Sequence, residues 1–464
     1  MKKIIYTILF IIILGLIIYK LDFILALNEG ELVQYEHYYK EKNMDIVFIG
    51  SSLVYRSYSP IEIAQQYGIK TYVLGQPEQY YKNGYYMVKE AIHQNSPKLI
   101  VYDLYTHFKN INKTRMTTVY NMKASINKFN ALIDLYNFNL LDIDSYKYLF
   151  SFNLFHDRWK ELKKYDFNYI GDLIFYGYPM ERRNFQTYKA TEPIFNDSNE
   201  EYILDKERLE YIDKIYNYAK KMNTNIIFTY PSTIFMQDDY ERAKAFEKYA
   251  KEKGYDYINY YNYRDKFELN YQTDLYDREH FNQNGVRKFM HFSIPLYMEK
   301  YNIISNKDLK LNEKITQQYW RLANRDELKN TNTLNRWLEK IQFNNYLVII
   351  NSYGDSMRHF KPDIFNNLKL YKIDNNLQNY IGIINSSVVY YENASNSKIV
   401  FNERLDNQVH LEIISDTNKS KIKISGKEYS KNKYGLNFVV YDKINRQVVD
   451  SIWIDPSKPT LIKR

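Results

Sequence analysis

Asp45-Ile46-Val47-Phe48-Ile49-Gly50-Ser51-Ser52 is a short apolar run that stops on a glycine and two serines. A run of this length between polar residues predicts a strand buried on both faces, leading straight into a tight turn. Lys70-Thr71-Tyr72-Val73-Leu74 and Lys98-Leu99-Ile100-Val101-Tyr102 have the same character. Between them, residues 80–94 place Tyr81, Tyr85, Met87, Val88, Ala91 and Ile92 at helical spacing. The rhythm resumes with a helix over 201–222, the strand Asn225-Ile226-Ile227-Phe228-Thr229-Tyr230, a helix over 242–253 and a fifth strand over 255–261. Asn282 is placed to cap a last helix running from Gln283 towards Tyr301, with Pro295 expected to kink it. Repeated strand–helix units of this kind predict an α/β fold, a parallel sheet with helices on both faces in three α/β/α layers.

Outward from that core the pattern changes three times. Residues from about 106 to 199 interrupt the alternation and are too many for an ordinary loop, so a partly helical insertion over one end of the sheet is expected. From about 310 an exposed helical stretch (312–341) leads to strand-rich segments at 346–350, 381–391, 398–401, 410–414, 421–424 and 437–441, which predicts a separate β-rich α+β domain. At the other end, Met1-Lys2-Lys3 precedes a run of 16 uncharged, mainly aliphatic residues from Ile4 to Tyr19, with apolar character resuming as far as Leu27. Such a segment is long enough to span a bilayer, and Ile24-Leu25-Ala26-Leu27-Asn28 is a poor signal-cleavage site. The two lysines are expected to stay cytoplasmic. The expected organisation is a transmembrane signal anchor over 1–28, an extracytoplasmic α/β domain over 29–309 and the β-rich domain over 310–464.

Composition narrows the chemistry. The formal net charge is +9, from 64 basic and 55 acidic residues spread along the chain, so there is no basic block to suggest nucleic-acid binding. The chain has no cysteine, which excludes disulfides, a catalytic thiol and thiolate metal sites. His37, His93, His107 and His291 lack clustered partners in the sequence, and neither metal nor cofactor is expected. The 50 tyrosines suit wet or sugar-contacting surfaces, but a genome-wide bias towards Lys, Asn, Ile and Tyr accounts for them equally well.

Two short segments carry the chemistry. Gly50-Ser51-Ser52 ends the first strand, where a tight turn can expose a hydroxyl and aim backbone N–H groups at an oxyanion. Asp277-Arg278-Glu279-His280 lies after the last strand and just before the last helix. A serine hydroxyl needs an imidazole as base, and the imidazole needs a carboxylate to fix its tautomer. Gly354-Asp355-Ser356 is a rival serine motif, but only His359 and His410 follow it, and a turn in the second domain is the expected role.

The first strand with Gly50-Ser51-Ser52, Gly75 after the second strand, and Asp277-x-x-His280 before the final helix together resemble blocks I, II and V of the SGNH/GDSL-like hydrolase superfamily. The resemblance covers about residues 45–301 and implies a three-layer, flavodoxin-like sheet. It also implies Ser52 as nucleophile, His280 as general base, Asp277 as its orienter, and the N–H groups of Ser52 and Gly75 as oxyanion donors. Two departures stand out. Ser51 occupies the place of the usual block I aspartate, and Tyr102-Asp103-Leu104-Tyr105-Thr106 stands where block III has Gly-x-Asn-Asp. Tyr105 and Thr106 are the remaining candidates for a third donor. In the insertion, Phe155-His156-Asp157-Arg158-Trp159-Lys160-Glu161-Leu162 resembles a segment of anchored SGNH proteins that work beside multipass acyltransferases. There His156, Arg158 and Trp159 either line an acyl or sugar site or belong to a helix packing Trp159 on the core. Residues 340–456 resemble the interleukin-like EMT inducer domain, a compact β-rich module.

Taken with the resemblance, three functions stay open. The first is serine-dependent acyl transfer, acetyl above all, to a cell-surface polysaccharide or other envelope glycopolymer, with a multipass membrane O-acyltransferase as partner. Proteins resembling the D-alanyl transfer component of teichoic-acid modification share that layout. The second is a carbohydrate O-acetyl esterase. The third is a non-catalytic glycan-binding surface protein.

Overall fold

In a computed structural model the described residues are 2–26, 30–111, 118–123, 125–137, 156–162, 174–179, 187–196, 202–343, 345–405 and 409–464. They form two compact units, Met1–Tyr319 and Trp320–Arg464.

The first unit is built on β1 (Ile46–Gly50), β2 (Thr71–Gly75), β3 (Leu99–Asp103), β6 (Asn225–Tyr230) and β7 (Tyr257–Asn259). A small hairpin, β4 (Ile174–Phe175) with β5 (Tyr178–Pro179), lies between β3 and β6 in the chain. The five-stranded sheet has the order β2-β1-β3-β6-β7, and every pair is parallel. Ile46, Val47, Phe48 and Ile49 are fully buried, which explains why the run is continuous rather than alternating. Burial of each such side chain contributes about 1.5–3 kcal/mol. Helices Pro60–Tyr67 and Gln283–Lys300 share a core with one face of the sheet through Ile63, Val286, Phe289 and Ile294. Helices Tyr81–Asn95, Lys206–Lys221 and Gln237–Lys253 contribute to the opposite layer, joined by Tyr81 against Tyr211 and by the bond from the Tyr249 hydroxyl to Asp213 (2.7 Å). The fold is therefore the expected α/β/α arrangement.

The winding reverses at β1. After β1 the chain builds β2 on one side, then crosses to build β3 on the other. In open parallel sheets a crevice forms at that reversal, beyond the carboxyl ends of the two strands. Gly50 and Asp103, the last residues of β1 and β3, stand there.

The fifth strand is shorter than 255–261. The Asn259 side chain accepts the Tyr261 N–H (3.2 Å), starting a 3-10 turn over Tyr260–Phe267 that ends the strand. The last helix starts as expected, with Asn282 accepting the N–H groups of Asn284 (3.0 Å) and Gly285 (3.2 Å), and it continues through Pro295. About half of the 106–199 insertion lies outside the described residues; within the rest is the helix Ile126–Tyr136. At the N-terminus, Lys2–Asp22 is long and apolar enough to cross a membrane, and its length and composition suit an anchor or a signal sequence.

The second unit pairs a six-stranded and a four-stranded antiparallel sheet. The larger has the order β10 (Val388–Ser395), β9 (Asn379–Asn385), β8 (Tyr346–Tyr353), β15 (Gly435–Asp442), β16 (Gln447–Ile454) and β17 (Ile462–Lys463). The smaller runs β11 (Ile399–Leu405), β12 (Val409–Ser415), β13 (Lys421–Ile424) and β14 (Lys427–Glu428). Along β8, Leu347 and Ile349 enter the core between the sheets, while Val348 and Ile350 enter a second core with Trp337 of the helix Leu334–Lys340. Period-two alternation between two buried faces makes 346–350 uniformly apolar in the sequence.

Candidate active site

Ser52 opens the short helix Ser52–Tyr55 directly after β1, with Ser51 as its cap. The Ser51 hydroxyl accepts the Leu53 N–H (3.3 Å) and donates to Asp103 Oδ1 (3.0 Å). Gly50 makes that approach possible, since a Cβ there would lie 2.6 Å from both the Asp103 Cβ and Val54 Cγ2.

The opposite wall is a narrow loop. Leu275 and Phe281 form an antiparallel bridge, and the Tyr276 N–H bonds the His280 carbonyl (2.9 Å). The loop is tied to the last helix by Asn282, whose amide donates to the carbonyls of Thr273 (2.8 Å) and Leu275 (3.3 Å). The Thr233 hydroxyl bonds the Glu279 carbonyl (2.6 Å). Arg56 lies over the Tyr276 ring, 4.6 Å from its centre, joining the residue after the serine helix to the base of the loop.

Between these walls three side chains form one line. His280 Nε2 is 2.8 Å from Ser52 Oγ, and His280 Nδ1 is 2.9 Å from both Asp277 oxygens. Asp277 Oδ1 also accepts the N–H groups of Glu279 (2.8 Å) and His280 (2.9 Å). Burial pushes the Asp277 carboxyl up, but the bonds and charge of His280 and the two N–H groups outweigh it and hold it at about 2. It is therefore a carboxylate throughout the neutral range. With that carboxylate on Nδ1, the proton sits on Nδ1 and Nε2 faces the hydroxyl as acceptor.

Gly75 ends β2 opposite Gly50 in the register. The Val73 N–H points away from β1 to the Tyr176 carbonyl (3.0 Å), and by strand periodicity the Gly75 N–H turns to that same side. Tyr105 and Thr106 have other acceptors. The Tyr105 hydroxyl donates to Glu279 Oε1 (2.8 Å), and the Thr106 hydroxyl to the Gln79 carbonyl (2.9 Å). Burial, then the charges of Asp239 and Glu279, pushes the Tyr105 phenol far above its usual value, so it stays a donor.

The insertion residues are found apart from that line. The 3-10 turn His156–Lys160 touches the end of the N-terminal helix, where Arg158 Nη1 donates to the Leu25 carbonyl. Trp159 is 65% exposed, so it does not pack on the core. Phe155 lies outside the described residues. His107 is a satisfied core histidine: Tyr102 OH bonds its Nδ1 (3.1 Å), its Nε2 bonds the Arg208 carbonyl (3.0 Å), and burial lowers it to about 3. In the second unit Ser356 is fully buried, while His359 is exposed.

Sequence reasoning missed Asp103. It is 7% exposed and also receives the backbone N–H groups of Tyr105 and Ser51. Burial pushes its carboxyl up to about 7, against the bonds from Ser51 and Tyr105 and the charge of Lys109. The fold thus retains a proton that the unfolded chain releases above about pH 4. Stability should fall as pH rises from about 4 to about 7, by at most about 1.4 kcal/mol per pH unit from this group. Urea midpoints of wild type and Asp103→Asn at pH 5 and pH 8 check this. The wild type should lose more stability than the variant between the two.

Two solved structures are similar to this chain. One, a Bacteroides fragilis protein assigned provisionally as an acylhydrolase, is 12% identical with a TM-score of 0.29, over 57% of this chain and 94% of its own. The other, a GDSL-like lipase of Bacteroides thetaiotaomicron, is 12% identical with a TM-score of 0.28, over 58% of this chain and 98% of its own. No protein-family model matches the chain, and no curated protein matches it.

Proposed function

We propose that the first unit is an SGNH-type serine acyltransferase that moves an acyl group, most simply acetyl, onto a hydroxyl of an envelope polysaccharide. The hydroxyl–imidazole–carboxylate line from Ser52 through His280 to Asp277 carries this reading. Ser52 Oγ attacks the acyl carbonyl as its proton passes to His280 Nε2, and the Asp277 carboxylate stabilises the imidazolium. The tetrahedral oxyanion is held by the backbone N–H of Ser52; the Gly75 N–H, expected from the sequence as a second donor, turns away from β1 with that of Val73 and faces the other side of β2. With Tyr105 and Thr106 committed to Glu279 and Gln79, neither hydroxyl is a further donor in this mechanism. His280 then protonates the leaving oxygen, the acyl group stays on Ser52, and a sugar hydroxyl deprotonated by His280 takes it. A glycan-binding surface alone has no use for such a proton relay.

The apolar N-terminal segment, acting as an uncleaved anchor, would keep this chemistry at the outer membrane–water interface, beside a multipass O-acyltransferase as donor. Arg158, bonded to the end of the N-terminal segment, and the exposed Trp159 would then act at the membrane-proximal side.

Hydrolysis is the second reading. It is favoured by the accessibility of the relay, since the Asp277 and His280 side chains are 43% and 17% exposed and water can reach an acyl-serine beside them. Surface polysaccharide from a strain carrying Ser52→Ala separates the two. Transfer predicts a loss of polymer acetyl relative to wild type, whereas an esterase predicts a gain. An unchanged acetyl content would overturn both.

A further inference from the structure

Resting on Ser52 as the nucleophile, the geometry points to Asp103 as the positioning residue of the nucleophile turn, supplying from β3 the carboxyl that the resemblance places at position 51. Four observations meet there. The Ser51 hydroxyl donates to Asp103 Oδ1 at 3.0 Å. The Ser51 and Tyr105 N–H groups donate to the same carboxyl, so it binds both the turn after β1 and the exit of β3. The Ile49–Tyr102 register sets the ends of the two strands side by side. Gly50 has no Cβ where one would meet the Asp103 Cβ at 2.6 Å.

Backbone bonds hold the turn's main chain, from the Val54 N–H to the Ser51 carbonyl (3.1 Å) and from the Gln76 N–H to the Gly50 carbonyl (2.9 Å), and the Ser51 side chain is set separately. The turn's helix is four residues long, and Ser51 must satisfy the Leu53 N–H while its own hydroxyl proton is fixed by an acceptor. Asp103 is that acceptor. Through Ser51 it sets the direction in which Ser52 Oγ leaves the turn, and hence its 2.8 Å contact with His280. Aspartate at position 51 caps a helix as well as serine does. The pair Ser51 and Asp103 can therefore be exchanged with one hydroxyl and one carboxyl kept in the same space.

The test uses the full-length chain in detergent, with the rate of labelling by a fluorophosphonate and turnover of 4-nitrophenyl acetate as readouts. Asp103→Ser should lower both by about 10²-fold, the cost of a misplacement near 1 Å, with the loss in kcat rather than KM. The exchange variant carrying Ser51→Asp together with Asp103→Ser should recover to within about tenfold of wild type. Asp103→Asn, which keeps an acceptor for the Ser51 hydroxyl, should fall between them and guards against misfolding of the serine variant. Wild-type rates in both Asp103→Ser and Asp103→Asn would overturn the assignment. So would an exchange variant no faster than Asp103→Ser. Labelling that survives Ser52→Ala would instead remove the nucleophile reading on which it rests.

Discussion

Replacing Ser52 with alanine should abolish covalent labelling of the full-length chain by a serine-reactive fluorophosphonate, while Ser356→Ala leaves labelling at the wild-type rate. The difference follows from the surroundings of the two hydroxyls. Ser52 Oγ is 2.8 Å from a nitrogen of an imidazole that a carboxylate orients, and it follows the strand at which the sheet reverses its winding. Ser356 is fully buried, and its hydroxyl has no hydrogen-bond partner among the described residues. The nearest histidine in the sequence, His359, is exposed instead. An unactivated serine reacts slowly, and removing a triad nucleophile typically costs 10⁴-fold or more, roughly the whole signal of such a probe. Labelling lost only in Ser356→Ala would move the active site to the second unit and sink the proposal.

Asp277→Asn should be nearly as damaging, lowering turnover by about 10⁴-fold at neutral pH. Asp277 Oδ1 accepts two backbone N–H groups, and an asparagine retains those bonds only by keeping its carbonyl oxygen there. Its amide nitrogen then faces His280 Nδ1, donating where the carboxylate accepted. The imidazole shifts its proton to Nε2 and offers Ser52 a donor instead of a base. Because the loop's backbone bonds survive, the fold should be preserved and the effect should appear in kcat with little change in KM. Turnover within tenfold of wild type would show that Asp277 does not orient the base. In the wild type the carboxylate's contribution to stability is present above its usual value near 4 and lost as pH falls towards about 2; the variant lacks it at neutral pH, so a urea midpoint at pH 7 separates lost chemistry from lost stability.

The parts of the fold that were legible are those in which one physical cause sets the letters. Buried on both faces, β1, β2 and β3 are apolar runs, and Asn282 announces the last helix because a cap must precede it. The helix Gln237–Lys253 was expected to begin only at 242. Its first turn holds Asp238 and Asp239, which look like a polar loop until Asp239 is seen buried beside Arg242. The Asp103–Ser51 pair was not legible, since it joins residues far apart in the chain through a register that no local pattern encodes. Tyr105 and Thr106 were candidates by position alone. Their acceptors, Glu279 and the Gln79 carbonyl, come from other segments and decide where the hydroxyls point.

The hairpin turn at Tyr176-Gly177 has a consequence for behaviour in solution. As the outermost strand on its side, β2 would present a ladder of free backbone groups to any neighbouring chain. Instead the Tyr176 carbonyl takes the Val73 N–H, and the Gln34 amide bridges the carbonyls of Val73 (2.8 Å) and Gly177 (2.9 Å). The fit is backbone against backbone: at Gly177, where φ is +86°, a Cβ would fall 1.8 Å from the Val73 carbonyl oxygen. The molecule thus blunts its own sticky margin, and strand-to-strand polymerisation is blocked on the side nearest Gly75. Any substituent at Gly177 would lift that seal and should show itself first as aggregation.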